Sequence, residues 1–228
     1  MGMTGSGSPF GFESPKQPAK VPAWKVGGAT ILSFVVLLYI IEIVDQVSGN
    51  QLDHNGIRPL ETDGLWGIVF SPLLHANWGH LLANTLPALV LGFLVTLAGM
   101  SRFIWATAII WILGGFGTWL IGNLGADCGE TNHIGASGLI FGWLAFLLVF
   151  GWLTRHAWQI VTSIVVLFVY GGILWGAVPV LDRCGGVSWQ GHLCGALAGV
   201  AAAYWLSAPE RTARERRKLG QRPPYPTS

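Results

Sequence analysis

Gly135-Ala136-Ser137-Gly138 opens an apolar run, Leu139 to Trp152, that holds no charged residue. A helix needs about 20 apolar residues to cross the hydrocarbon core, and it satisfies its own backbone there, so the stretch Gly135–Leu153 reads as a membrane helix. Its beginning is unusual. Glycine costs helix stability, and a hydroxyl in hydrocarbon needs a partner. Small residues in such helices mostly serve helix packing. The same glycines also clear space around the Ser137 oxygen, so that a substrate backbone could reach it.

The composition extends the membrane reading to the whole chain. Of 228 residues, 52% are hydrophobic and 11% charged, far below the roughly one quarter charged in soluble domains. Twelve Trp and 32 Gly suit interfacial anchoring and close helix packing. Five further apolar stretches lie at 24–47 (most apolar from Gly27 to Ile43), His80–Ala98, Arg102–Gly122, Ala157–Val180 and Gln190–Ser207. The expected fold is an all-α membrane protein, a compact bundle of six transmembrane helices over residues 24–208. Residues 1–23 are Gly/Ser/Pro-rich, with no apolar h-region near the start. They are expected to be a disordered tail and not a cleaved signal peptide. Residues 209–228 form a basic tail, solvated and close to anionic lipid. The bilayer is the expected surrounding, and no nucleic-acid partner is expected.

Lys and Arg set the expected orientation. With the N-terminus inside, eleven of the thirteen basic residues face the cytoplasm, and only Arg58 and Arg183 face out. Both termini are then cytoplasmic, and the second, fourth and sixth spans run inward from the outer surface. The long first outer loop contains apolar Gly64–Phe70 and is expected to lie in the interface or on the bundle.

This topology brings uncommon polar residues to one depth. His80 and Asn84 open the second span on a shared helix face. Ser137 opens the fourth span and His192 the sixth. Taken singly, each could be interhelical glue or an interface group. Together they can supply a nucleophile (Ser137), a base (His192) and oxyanion donors: His80, Asn84 and the N–H of Ser137. The fourth and sixth spans contain no acidic residue, which favours a Ser–His dyad over a triad. His54, His75, His133 and His156 lie in or beside loops and read as solvated. The spacing of His75 and His80 does not match a zinc pattern, so neither metal nor cofactor is expected.

Three motifs, His75-x4-His80-x3-Asn84, Gly135-x-Ser137-Gly138 and Gly191-His192-Leu193-Cys194-Gly195, resemble the rhomboid family of intramembrane serine proteases. So does the loop sequence Gly56-Ile57-Arg58-Pro59 with Leu65-Trp66-Gly67-Ile68. The resemblance covers about 25–207. It implies a six-helix bundle that cleaves transmembrane segments of other proteins. Ser137 would be the nucleophile and His192 the base, with His80 and Asn84 holding the oxyanion. Some relatives carry a tyrosine one turn after the nucleophile; here that position is Phe141, which either orients His192 or serves as core. Gly191, Gly195 and Gly199 would let the sixth span approach the fourth closely. The family also suggests the fifth span against the second as the substrate gate, with Pro179 loosening the fifth.

Cys128 and Cys184 fall in the two short outer loops. They either pair across the rim of the site or remain two free thiols. Cys194 packs as a small apolar group. A non-proteolytic rhomboid-like binding protein or chaperone is the first alternative. A small transporter is the second, disfavoured because acidic residues read as absent from the spans. The expected location is a bacterial plasma membrane.

Overall fold

Each apolar stretch contains a helix in the structure, a computed structural model that describes residues 21–125, 131–179 and 187–220. In chain order, α1 is Ala23–Val47, and α2 (Gly67–Phe70) is a single turn inside the first loop. Next come α3 (Trp78–Leu97), α4 (Met100–Ile109) and α5 (Gly115–Ile121). A π-turn, Ile110–Gly114, joins α4 to α5. The remaining helices are α6 (Ser137–Thr154), α7 (Ala157–Tyr170), α8 (Trp189–Leu206) and α9 (Ala208–Lys218). Five helical segments are long and apolar enough to cross a membrane: α1, α3, α4 with α5, α6, and α7 with its extension. The 18-residue α8 is not among them. No strand forms among the described residues; one isolated bridge pairs Ile57 with His133.

The centre of the bundle is α6. It is hydrophobic on all sides, as a fully enclosed helix must be, and 67% of its span is buried against 11% for the α7 span. Trp143, Leu144, Phe146 and Phe150 fill the core around it. Its closest partner is α8, and the contact is backbone on backbone. A Cβ on Gly195 would lie 2.1 Å from the Gly138 carbonyl oxygen, and one on Gly199 would lie 2.1 Å from that of Gly142. Only glycine permits this approach, so the glycine ladder expected on the last span is the surface that meets α6.

The first loop packs on the bundle through two tryptophans. Trp111 Nε1 donates to the Ile68 carbonyl and Trp119 Nε1 to that of Glu61, each at 2.8 Å. At the opposite end α9 docks by ion pairing of Arg102 with Glu210 and by a hydrogen bond from Arg214 to the Leu153 carbonyl.

Two expectations need correction. Regular helix in the fifth span ends at Tyr170, well before Pro179, and a 3-10 segment, Gly171–Ala177, follows. The break begins at the Gly171-Gly172 pair, where backbone entropy disfavours helix. Acidic residues are also not absent from the spans: Glu42 and Asp45 of α1 are each only 2% exposed. Both stand in the sequence of the first span, 24–47, so the expectation overlooked them; what packing adds is that they are buried.

Candidate active site

The site starts with local chain geometry. Asn77 caps α3 by accepting the His80 N–H at 3.0 Å. This fixes the first turn and places His80 and Asn84 one above the other. The Asn84 side chain donates to the His80 carbonyl at 3.0 Å, so one of its two N–H hydrogens stays free. Across from them, Gly135 adopts φ +120°, and a Cβ there would sit 2.6 Å from the His80 ring and 3.7 Å from Ser137 Oγ. Glycine is required both by the backbone angle and by the approach of His80. The Gly135 position therefore lies between the tip of His80 and the Ser137 hydroxyl.

Ser137 is the first residue of α6, and no side chain caps that helix. The first backward bond is from the Ile140 N–H to the Ala136 carbonyl, 3.1 Å. The N–H groups of Ser137, Gly138 and Leu139 thus lack backbone acceptors and stand at the positive end of the helix dipole. Next to them lies a cavity of about 40 Å³, lined in part by Ser137, Gly138, Thr118 and Gly191. A bound water needs roughly 10–15 Å³ on the same measure, so the cavity is large enough to hold water beside the serine.

His192 stands on α8 with its ring stacked on Phe141 at 4.0 Å and 9°. Its Nδ1 lies 3.0 Å from the Gly176 carbonyl in the 3-10 segment after α7. A carbonyl can only accept, so Nδ1 carries the proton and Nε2 presents a lone pair. Phe141 is one turn beyond Ser137, so the stack sets His192 against the helix that carries the serine. Among the described residues, Ser137 and His192 share no direct hydrogen bond. Such bonds often close only once substrate is bound.

Two histidines that the sequence suggested were solvated prove to be buried. His75 is 2% exposed, accepts the Ala136 N–H at 3.4 Å through Nε2 and lies edge-on to His80 at 5.1 Å. Burial, helped by nearby His80, pushes its pKa down to about 4. His133 is 7% exposed, with Nδ1 2.6 Å from Ser188 Oγ and Nε2 2.9 Å from Thr131 Oγ1. Burial lowers its pKa to about 4 as well. Their proximity to Ser137 in space was not readable from chain position. The available signal was that His75 belongs to the His75-x4-His80-x3-Asn84 pattern. His54 and His156 are exposed.

Cys194 is a buried free thiol. Cys128 and Cys184 lie outside the described residues. Among the described residues, no group of three His, Cys, Asp or Glu side chains is placed to hold a metal ion.

Comparison with known proteins supplies the remaining observation. The Rhomboid domain family matches residues 62–209. An uncharacterized protein of Mycobacterium tuberculosis is 71% identical over 210 residues, covering 92% of this chain and 88% of the relative. One from Mycobacterium bovis matches to the same extent. An uncharacterized protein of Mycobacterium leprae is 61% identical over 211 residues, 92% of this chain and 84% of its own length.

Proposed function

The chain belongs to the rhomboid family, and from that premise we propose that it is an intramembrane serine endopeptidase. It crosses a bacterial plasma membrane six times with both termini in the cytoplasm. Its substrates are transmembrane segments of other proteins, cut near the outer face. One observation carries the reading: a histidine whose Nδ1 proton is tied to the Gly176 carbonyl, stacked on Phe141, beside an uncapped helix start that bears Ser137.

The chemistry follows from those groups. Ser137 Oγ attacks the scissile carbonyl carbon while its proton passes to His192 Nε2. The new oxyanion takes hydrogen bonds from the free N–H at the start of α6, from His80 and from the spare N–H of Asn84. The C–N bond breaks as His192 returns its proton to the leaving amine. Water from the adjacent cavity then attacks the acyl-enzyme ester. His192 takes the water's proton and delivers it to the Ser137 oxygen as the carboxylic product departs. The Gly176 carbonyl takes the orienting role that a carboxylate has in a triad, fixing the tautomer of the base.

A second serine–histidine pair, Ser188 and His133, is in direct contact at 2.6 Å. It suits catalysis poorly. Ser188 Oγ already accepts the Gly191 N–H at 3.0 Å as the cap of α8.

Labelling detergent-solubilised protein with a fluorophosphonate, which forms a Ser Oγ–P bond and expels fluoride, tests the assignment. The expected adduct sits on Ser137 and is lost in both Ser137→Ala and His192→Ala. An adduct on Ser188, or one that survives Ser137→Ala, contradicts it.

A further inference from the structure

The His133–Ser188 hydrogen bond joins the two chain segments that carry Ser137 and His192. His133 lies four residues before Ser137, and Ser188 lies four before His192. The strap that holds His133 is itself anchored: His133 and Ile57 exchange backbone hydrogen bonds of 2.9 and 3.0 Å. On the other side, Ser188 caps α8 through the Gly191 N–H, and its carbonyl accepts the His192 N–H at 3.0 Å.

The proton positions along this chain of bonds can be assigned. The Thr131 hydroxyl donates to Asn123 Oδ1 at 2.8 Å. It therefore accepts from His133, whose Nε2 bears the hydrogen. His133 Nδ1 is then an acceptor, and the Ser188 hydroxyl donates to it. The Ser188 oxygen in turn accepts the Gly191 N–H. Each group has one role, and each is met.

Such a link matters because of the way α6 and α8 touch. Their contact is glycine backbone on glycine backbone, with Phe141 stacked on His192 as a side-chain contact across it. Ser137 and His192 are not joined directly in this state. Beside the glycine contact and the Phe141–His192 stack, the His133–Ser188 bond is a further tie between the segments that precede them.

We propose that His133 and Ser188 are a positioning pair that locks the axial register of α8 against the start of α6 and so sets the Ser137–His192 separation. The inference rests on the reading of Ser137 and His192 as nucleophile and base. Neither His133 nor Ser188 touches the reacting atoms.

The test is the rate of fluorophosphonate adduct formation at Ser137 in the full chain, measured beside the melting temperature. The variants are His133→Ala, Ser188→Ala, their double mutant and Ser188→Thr. A misplacement of about 1 Å can cost some 100-fold in rate, so each alanine variant is expected to label roughly 10- to 100-fold more slowly. The double variant should be no slower than the slower single, because one link is broken in all three. Ser188→Thr keeps both the cap and the hydroxyl donor and should recover most of the rate. Unchanged rates in the folded alanine variants overturn the inference. So do losses that multiply in the double variant, or a Ser188→Thr protein that melts like the wild type yet labels as slowly as Ser188→Ala. A wild-type adduct on a residue other than Ser137 overturns the underlying dyad instead, and peptide mapping separates the two failures.

Discussion

The helices α6 and α7 follow one another in sequence and are both strongly apolar, but they have opposite surroundings. α6 is enclosed and regular from Ser137 to Thr154, whereas α7 is the least buried of the candidate spans and leaves regular helix after Tyr170. Apolar content does not distinguish them. The difference lies in what touches each one: α6 meets glycine backbone on α8, while α7 turns exposed Phe168, Val169 and Val165 outward. The site therefore has a fixed half and a lightly held half. Ser137 belongs to the first. The Gly176 carbonyl that orients His192 belongs to the second.

Breaking the fixed half should have the largest consequence. Gly199→Leu would drive a side chain into the backbone at Gly142, so α6 and α8 would have to separate. Overpacking of this kind typically costs about 1–3 kcal/mol and more against backbone. Loss of folded protein on size exclusion is expected. The matching change in the lightly held half is Gly172→Ala, where a Cβ would meet nothing within 4 Å. Its melting temperature should stay the same or rise slightly.

A crosslink that restrains α7 against α3 should come next. These helices flank α6 in one crevice, between Leu94 and Leu97 on α3 and Trp158 and Thr162 on α7. Cleavage of a transmembrane substrate should stop, while labelling by the small fluorophosphonate should continue. Unimpaired cleavage would refute α7 as the gate.

A smaller effect is expected from Gly176→Val. Even a single Cβ there would lie 3.2 Å from both His192 Nδ1 and Phe141, so a branched side chain must push the base away from its carbonyl. Labelling should slow by about 10- to 100-fold, as for misplaced reacting groups, with a smaller change in melting temperature because no residue of Gly171–Ala177 is fully buried. An unchanged rate would show that the Gly176 carbonyl does not orient the base.

The last and most gradual effect concerns acid. His75 and His133 are held neutral, with pKa values of about 4 against 6.5 for a free histidine. The unfolded chain binds more protons between those values, so stability falls as pH drops from about 6.5 to 4 and levels off below. Each group can contribute at most about 3 kcal/mol across that window. Asp53, raised to about 6 mainly by burial, works in the opposite sense, gaining stability as pH falls from 6 to 3.8. The melting temperature should therefore decline on acidification, and His133→Gln should decline less.

These contrasts show which parts of the molecule could be read from sequence. Long apolar runs located the helices because lipid leaves helix as the only option for them. That His80 and Ser137 both lie at helix starts was readable, and the structure brings them to either side of Gly135; the glycine spacing on the last span marked its contact face. Burial of loop residues was not legible. His75 and His133 sit in stretches with no periodicity, and their enclosure depends on where Ile57, Ser71 and Ser188 arrive in space. Nor did the 3-10 break after Tyr170 announce itself, because Gly171-Gly172 lies inside an otherwise unbroken apolar run. Glu42 and Asp45, by contrast, stand openly in the sequence within 24–47; only their burial needed the structure.

The most direct measurement of the central claim is cleavage of a model transmembrane segment in proteoliposomes, with helix-breaking Gly and Pro near its outer end. The account predicts two products from wild-type protein, with their new termini mapped by mass spectrometry to that region, and no products from Ser137→Ala at the same folded concentration. Cleavage that persists in Ser137→Ala, or an intact substrate beside wild-type protein whose Ser137 labels readily, would contradict it.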